Sequence, residues 1–393
     1  AGAGTVNGNS SVNINSGTIQ ANAIVGGGAW RGQVKGDSSV TISGGQITVN
    51  STEDSPGRAI IGGSYGNVSY DPDAPGDPAA TAGKSSVTIT GDAVVSGKVV
   101  GGSDISAVTN SSVTISGQAQ VTGNVYGGGN RGGEVKETAT VKLVDTATVD
   151  GNVYGGGFGT ETAKSTVQGS TRVEVSGGTV TGNVYGGGEN SSVGNTSVVV
   201  DGADVEAGIY GGSLNGDAGD TTVTISNFTR LQPVPGTQSD KIQIVGGGMA
   251  EAGKSSTTAS TNVTVTDSKI YGDVVAGSSA TGTGATAISG KSVVNVSNLE
   301  INGYSEGSNI WTGRVFGAGR AQYGGSVVTE STDVTIENMS GYTYDSEGNI
   351  IDGSNKGARV YGAGQAYASM SRVEVGETKL RISGDATNIS EIY

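Results

Sequence analysis

Apolar and polar residues alternate over short stretches that recur along the whole chain. In the stretch Ser111-Ser112-Val113-Thr114-Ile115, two apolar residues flank a polar one. A period of two residues is typical of a β-strand with one buried face, so each recurrence predicts a strand. Its first apolar residue recurs at Val12, Val40, Val87, Val113, Val141, Val173, Val198, Val223, Val263, Val294, Val334 and Val373.

A second recurring stretch combines aliphatic, aromatic and glycine residues, as in residues 123–129 (Gly-Asn-Val-Tyr-Gly-Gly-Gly). Its first apolar position holds only Val or Ile, which predicts an inward-facing column. The glycines that follow predict a change of chain direction, because positive φ costs glycine little. The aliphatic position recurs at Ile24, Ile60, Val99, Val125, Val153, Val184, Ile209, Ile244, Val274, Val315, Val360 and Ile392.

The two stretches return roughly every 33 residues, with a short apolar segment between them, which is a spacing typical of solenoid proteins. We count about three strands per turn, with corners at the glycines. Parallel crossover connections strongly prefer the right hand. The sequence therefore predicts an all-β chain, folded as a single right-handed parallel β-helix of about twelve turns with loop insertions, over residues 1–393.

The two ends of the chain fall at the same point of the repeat. Residues 1–4 (Ala-Gly-Ala-Gly) match the glycine phrase, and Glu391-Ile392-Tyr393 is the same phrase stopped before its glycines. A solenoid normally hides its end coils under capping segments, and neither end resembles one. We therefore expect that the chain is a segment of a longer array.

The residue after the invariant Val or Ile forms an aromatic column. Strict alternation would place this column outside, whereas a turn at the corner would bring it inward or beneath the following loop. In both cases identical rings would stack at about 4.8 Å from coil to coil. The predicted ladder consists of Tyr126, Tyr154, Tyr185, Tyr210, Phe316, Tyr361 and Tyr393.

Composition excludes several classes of function. The net charge is −14 at pH 7, which disfavours nucleic acids and anionic membranes as partners. The chain has no histidine and no cysteine, so it lacks the commonest general base, thiol chemistry and disulfides. It has no apolar run of about 18 residues, so we expect no membrane insertion within this segment.

The segments after the glycines are the best candidates for recognition, because a rigid scaffold would display them in a row. Aromatic and arginine side chains commonly anchor interfaces. The alternative is that they cover the aromatic column beneath them. The candidate binding residues are Trp30, Arg31, Tyr65, Arg131, Phe158, Arg320, Tyr323 and Tyr367.

Two acidic groups could carry other chemistry. Asp71, Asp73 and Asp77 could hold Ca²⁺ through oxygen ligands, or they form a solvated turn; no other cofactor or metal is expected. A carboxylate pair could hydrolyse glycosides at a suitable separation, but a solvated acidic corner is the simpler interpretation. That second group consists of Asp201, Asp204, Glu206, Asp217 and Asp220. We expect no catalytic residues.

The repeated Gly-Asn-Val-Tyr-Gly-Gly-Gly and Ser-Ser-Val-Thr-Ile-Ser phrases resemble those of glycine-rich bacterial surface proteins, similar to β-helical adhesins and autotransporter passenger domains. The resemblance covers essentially the whole chain. It implies an extracellular, non-enzymatic, elongated adhesin or structural stalk that contacts a host or neighbouring cell through a glycan or protein ligand. Two alternatives stay open: a β-helix enzyme that processes polysaccharides, and a subunit that self-associates into filaments through exposed edges.

Overall fold

The structure is a computed structural model. It describes residues 4–29, 32–50, 58–66, 80–81, 83–229, 242–306, 309–345, 347–351 and 356–393. These residues form strands and turns, and none of them belongs to a helix; a membrane-spanning helix is accordingly not found within these ranges. The chain divides into two compact units, Ala1–Thr196 and Ser197–Tyr393, and the strand Ser192–Asp201 includes the point of division.

The N-terminal unit confirms the predicted parallel β-structure. Its long strands stack in register, so that Val40 pairs with Val87, and Val87 with Val113. The Ser-Ser-Val-Thr-Ile ladder consists of Ser10–Ile14, Ser38–Ile42, Ser85–Ile89, Ser111–Ile115, Thr138–Asp150 and Thr166–Val180. The next ladder consists of Thr18–Ala21, Gln46–Val49, Val94–Ser96, Gln120–Thr122 and the end of Thr138–Asp150. The glycine-phrase ladder consists of Ile24–Val25, Ile60–Ile61, Val99–Val100, Val125–Tyr126, Val153–Tyr154 and Val184–Tyr185.

Further short strands in this unit go beyond the three kinds that the sequence predicted. They pair in parallel in two sets: Thr5–Val6 with Gln33–Val34 and Ala80–Thr81, and Ala107–Val108 with Glu134–Val135 and the start of Thr166–Val180. Each of these strands spans two paired residues, which is too short for alternation to appear in the sequence.

The C-terminal unit repeats the parallel arrangement with longer strands. One ladder consists of Ala218–Ser226, Ser255–Val275, Thr286–Glu306, Ser326–Ser340 and Arg372–Thr387. The glycine-phrase ladder consists of Ile209–Tyr210, Ile242–Val245, the end of Ser255–Val275, Arg314–Phe316, Ala358–Tyr361 and Ile389–Ile392. A further sheet consists of Met249–Ala250, Ser279–Thr281, Arg320–Gln322 and Gln365–Tyr367. The remaining strands are Asp204–Val205, Asn309–Trp311, which is antiparallel to the end of Thr286–Glu306, and Thr343–Tyr344.

The core consists of stacked columns of Val and Ile. The aliphatic residues of the glycine-phrase ladders are buried, as predicted, from Ile24 to Val360. Ile392 departs from the prediction, because its side chain is 55% exposed. It lies in the strand Ile389–Ile392, which pairs with Ala358–Tyr361.

A column of buried hydroxyl groups donates hydrogen bonds to backbone carbonyl oxygens within the coils. In the N-terminal unit the Ser85, Ser111 and Thr171 hydroxyls donate to the carbonyl oxygens of Gly101, Gly127 and Gly186, over 2.7, 2.6 and 2.5 Å. In the C-terminal unit Thr221, Thr261 and Thr332 donate likewise to Gly246, Ala276 and Gly362. Each bond ties a strand of the long-strand ladder to the corner after a glycine-phrase strand. The corner is also sterically closed, since a Cβ on Gly127 would lie 2.5 Å from the Gly155 carbonyl oxygen.

We expect Ser111→Ala to lower the free energy of unfolding by about 1–3 kcal/mol, because the buried Gly127 carbonyl would lose its hydroxyl donor. Ser112→Ala is the matched control: this neighbouring serine is only partly buried, so its loss should cost less than about 0.5 kcal/mol. Denaturant unfolding followed by circular dichroism measures both. Equal losses in the two variants would show that the hydroxyl column has no special role.

Candidate functional site

The aromatic column is stacked in both units. In the N-terminal unit the ring centroids of Tyr126 and Tyr154 are 4.8 Å apart, and those of Tyr154 and Tyr185 are 4.9 Å apart, with nearly parallel planes. In the C-terminal unit Phe316 stacks on Tyr361 at 4.9 Å, and Tyr361 on Tyr393 at 5.1 Å. The column is buried at Tyr126, Tyr154, Tyr185, Tyr210 and Phe316, half-buried at Tyr361 and 69% exposed at Tyr393.

The segments after the glycines cover this column in the N-terminal unit. Val125 and Tyr126 are successive residues of one strand, so their side chains point to opposite faces, yet both are buried. Phe158 packs edge-on against the Tyr126 ring at 5.7 Å. Glu189, one coil further on, accepts a short hydrogen bond from the Tyr126 hydroxyl. The rings therefore lie beneath the segments that follow the glycines, which is one of the two positions that the sequence allowed.

These segments form a paired column of their own. In the N-terminal unit they are joined by parallel bridges in the order Ala29, Tyr65, Asp104, Asn130, Phe158 and Glu189. Asp104 and Asn130 are completely buried, while Tyr65 and Phe158 are half-buried. Neighbouring coils therefore bind these segments into the fold, while Tyr65 and Phe158 remain partly accessible, and their role in recognition stays a prediction.

The remaining predicted binding residues fall into three groups. Trp30 and Arg31 lie outside the described residues, as do Asp71, Asp73 and Asp77 of the possible calcium site. Arg131 and Arg320 are largely buried in ion pairs. Tyr323 and Tyr367 are 59% and 51% exposed, and their rings meet edge to face at 6.2 Å. Among the described candidates, Tyr323 and Tyr367 thus form an exposed pair, whereas Arg131 and Arg320 serve internal ion pairs.

A buried polar cluster of Lys98, Asp104, Asn130, Arg131 and Phe158, here called the Lys98 cluster, lies in the N-terminal unit. The Lys98 Nζ donates to Asn130 Oδ1 over 3.1 Å and lies 4.1 Å from the centre of the Phe158 ring. The Asn130 Nδ2 donates to Asp104 Oδ1 over 3.0 Å. The Arg131 Nε donates to the same Asp104 oxygen over 2.9 Å. Every polar group of the cluster therefore contacts another.

Burial sets the electrostatics of the Lys98 cluster. It lowers the pKa of Lys98 to about 8, although the negative charge of Asp104 acts in the opposite direction and favours the ammonium. Burial also raises the pKa of Asp104, although the hydrogen bonds and charge of Arg131 work in the other direction. Arg131 has a left-handed backbone, with φ of 46°, which is costly for a bulky residue. Its bonds to Asp104 offset that cost.

An open cleft of about 650 Å³ lies beside the Lys98 cluster. The described part of its lining is dominated by hydroxyl, amide and ring groups, and it includes the Lys98 amine and the Glu189 carboxylate. Asn124 donates from Nδ2 to the Tyr126 hydroxyl over 3.1 Å, and burial with the neighbouring Glu189 raises the pKa of Tyr126 well above its usual value. The lining side chains include Thr48, Asn50, Ser96, Lys98, Thr122, Asn124, Tyr126, Phe158, Thr160 and Glu189. We call it the Thr48–Glu189 cleft.

A second buried ion cluster lies in the C-terminal unit. The completely buried Asp273 accepts two hydrogen bonds from Arg314, over 2.8 and 2.7 Å, and a third from Arg320 over 3.1 Å. The Asp273 charge outweighs burial and raises the pKa of Arg314. Burial, with the charge of Arg314, lowers the pKa of Arg320. Arg320 therefore serves this internal cluster and is not displayed for a partner.

The predicted acidic group is dispersed along the edges of the C-terminal unit. Asp201 accepts hydrogen bonds from Asn227 and Ser226, which lower its pKa. Asp220 accepts from the Ser260 hydroxyl and Asp217 from the Thr257 amide, while Asp204 and Glu206 are exposed. Each bonded carboxylate contacts a neighbouring coil. Within the described ranges no three His, Cys, Asp or Glu residues are grouped to hold a metal ion.

A polar column that was not predicted from the sequence contributes Lys98 to the first ion cluster and Asp273 and Arg314 to the second. Its members stand immediately before the invariant Val or Ile of the glycine phrase. In the N-terminal unit they are Lys98, Asn124, Asn152 and Asn183, and in the C-terminal unit Gln243, Asp273, Arg314, Arg359 and Glu391. This position is polar in nine of the twelve repeats, the exceptions being Ala23, Ala59 and Gly208, and that preference was a visible signal in the sequence.

We expect Asp273→Ala to lower the free energy of unfolding by about 3–5 kcal/mol, because it would leave Arg314 and Arg320 buried together without their anion. Asp333→Ala is the control, since Asp333 pairs with the exposed Arg381, and such a pair contributes at most about 1 kcal/mol. Chemical denaturation of both variants provides the measurement. A loss below 1 kcal/mol for Asp273→Ala would contradict this description of the cluster.

Comparisons of the chain with protein-family models, with curated proteins and with solved structures gave no match. The functional proposal therefore rests on the chemistry and geometry of the described residues.

Proposed function

We propose that the chain is a non-enzymatic scaffold of the bacterial cell surface, an adhesin or structural stalk, that binds glycans at the Thr48–Glu189 cleft. The finer description of the fold belongs to the same proposal: a right-handed solenoid of about twelve turns, inferred from the repeat and from the handedness of parallel crossovers. The extracellular location is supported by the acidic, cysteine-free composition and by the resemblance of the repeats.

The chemistry of the cleft carries the proposal. A glycan presents many hydroxyl groups, which can both donate and accept hydrogen bonds. The cleft offers matching groups from separate coils: the amides of Asn50 and Asn124, and the hydroxyls of Thr48, Thr122 and Thr160. Thr48, Ser96 and Thr122 are register partners on stacked strands, so a bound chain would meet a hydroxyl group at each of these successive coils.

The carboxyl groups of the described residues favour glycan binding over glycan hydrolysis. Glycoside hydrolysis ordinarily requires two carboxyl groups on either side of the scissile bond. Among the described lining residues, Glu189 is the carboxylate, and it is engaged by the Tyr126 hydroxyl. The acidic group of the C-terminal unit is bonded to neighbouring coils and exposed. Neither arrangement supplies a paired acid and nucleophile.

We expect the purified chain to bind polysaccharides on a glycan array without shortening them. Thr122→Arg should weaken binding about tenfold or more, equivalent to roughly 1.4 kcal/mol, because the new side chain would fill the cleft. Thr114→Arg is the matched control, with the same change placed on another ladder and outside the lining residues. Its affinity should stay within about twofold of the unmodified chain.

Three results would count against the proposal. Release of shortened polysaccharide would indicate an enzyme. Equal loss of affinity in the two arginine variants would place binding elsewhere. Failure of the folded chain to bind any glycan on a broad array would leave the cleft without its proposed ligand. Antibody labelling of intact cells that produce the protein tests the surface location separately.

A further inference from the structure

The Lys98 cluster brings a lysine amine, a carboxamide and a carboxylate into one buried site. The Lys98 Nζ lies 3.1 Å from the oxygen of the Asn130 side-chain amide. The amide carbon is bonded to that oxygen at about 1.2 Å. The nitrogen of the same amide lies 3.0 Å from the Asp104 carboxylate. Asn130 and Asp104 are both completely buried. These are the reactants and the proton carrier of an amide exchange, held next to each other.

We propose that Lys98 and Asn130 form an intramolecular isopeptide bond, with Asp104 as the group that transfers the proton. The inference does not depend on the ligand of the cleft. It concerns a covalent bond within the chain that any preparation of the folded protein can reveal. The bond would link two successive coils, because Lys98 precedes the strand Val99–Val100 and Asn130 follows the strand Val125–Tyr126, which pairs with it.

The reaction balances without any other reagent. The lone pair of the neutral Lys98 amine attacks the Asn130 side-chain carbon, and the carbonyl electrons move onto Oδ1. A proton from the attacking nitrogen passes to the Asp104 carboxylate and from there to Nδ2. The carbon–Nδ2 bond then breaks, the carbonyl forms again, and ammonia leaves. A lysine amine and an asparagine amide are thereby converted into one secondary amide and one molecule of ammonia.

The surroundings suit each step. Burial raises the pKa of Asp104, while the hydrogen bonds and charge of Arg131 act in the opposite direction and favour the carboxylate, which is the form that accepts a proton. The half-buried Phe158 ring lies against the Lys98 Nζ, and it limits the water that would otherwise solvate the ammonium. Holding the amine and the amide in contact removes the entropy cost of bringing them together, which in intramolecular reactions is a large part of the barrier.

The rate should increase with pH, because only the neutral amine attacks. The pKa of Lys98 is lowered to about 8 by burial, and the charged groups around it are Asp104, Arg131 and Glu189. Asp104 and Glu189 favour the ammonium, while Arg131 favours the neutral amine. A folded protein held at pH 9 should therefore complete the bond faster than one held at pH 6.

Tryptic digestion of the denatured protein distinguishes the two states. Without the bond, trypsin cleaves after Lys98 and gives peptides 85–98 and 99–131. With the bond, Lys98 is not a cleavage site, and a single peptide 85–131 appears, lighter by one molecule of ammonia. Localisation in this peptide is necessary, because succinimide formation at Asn-Gly sites such as Asn215-Gly216 also releases ammonia.

We expect peptide 85–131 from the wild-type protein, either as purified or after incubation at pH 9. Asp104→Asn should slow its formation about 100-fold or more, the usual contribution of a positioned acid–base group. Lys98→Arg should abolish the loss of ammonia, whereas the matched Lys142→Arg, at a surface ion pair with Glu174, should leave it unchanged. Circular dichroism identifies variants that remain folded.

Full recovery of the separate peptides 85–98 and 99–131 from folded wild-type protein after incubation at pH 9 would overturn the proposal. The cluster would then be a non-covalent ion network only. An equal rate of bond formation in folded Asp104→Asn would overturn the role of Asp104 as the proton carrier.

Discussion

In-register hydrogen bonding between parallel coils is the constraint on which the rest of this structure depends. It places each residue about 4.8 Å from its equivalent in the next coil, and the stacked rings of Tyr126 and Tyr154, 4.8 Å apart, have the same spacing. At this distance the Gly127 corner has no room for a side chain, because a Cβ there would lie 2.5 Å from the Gly155 carbonyl oxygen. One geometry therefore accounts for three features: the glycine at the corner, the buried Val or Ile, and the hydroxyl group that bonds to a backbone carbonyl within the coil.

This constraint explains how much of the fold could be predicted. Alternation around Val113 and the unvarying aliphatic at Val125 indicated strands and buried columns, because each property is local and recurs. The pairing of Asp104 with Asn130 was not predictable in this way. Both residues follow the glycines in segments whose composition changes from coil to coil, and only the stacking of those segments reveals that they are buried. The expectation that Arg131 is displayed for a partner was wrong for this reason.

Stacking equivalent positions also creates a difficulty for polar residues, since identical charges would repel at such close spacing. The N-terminal unit uses asparagine: the backbone amide of Asn152 donates to Asn124 Oδ1, and that of Asn183 to Asn152 Oδ1. In the C-terminal unit Arg314 and Arg359 are neighbours in the column, and an acidic residue stands on each side of this pair, Asp273 beside Arg314 and Glu391 beside Arg359. The polar column is thus part of the structure that holds the coils together.

Lys98 occupies the column position one coil before the first asparagine, Asn124, and the proposed chemistry arises there. A lysine ammonium has no acceptor atom, so Lys98 is unable to bind the backbone amide of Asn124 as an asparagine would. Its amine reaches Asn130 instead, across the boundary between two coils. In a solenoid each coil is held by its contacts with its neighbours, and stability is approximately the sum of those contacts. A covalent link at this boundary would act along the stacking direction, in which the coils are otherwise joined by non-covalent contacts and by the chain itself. It would prevent this interface from opening first when the protein is pulled or heated.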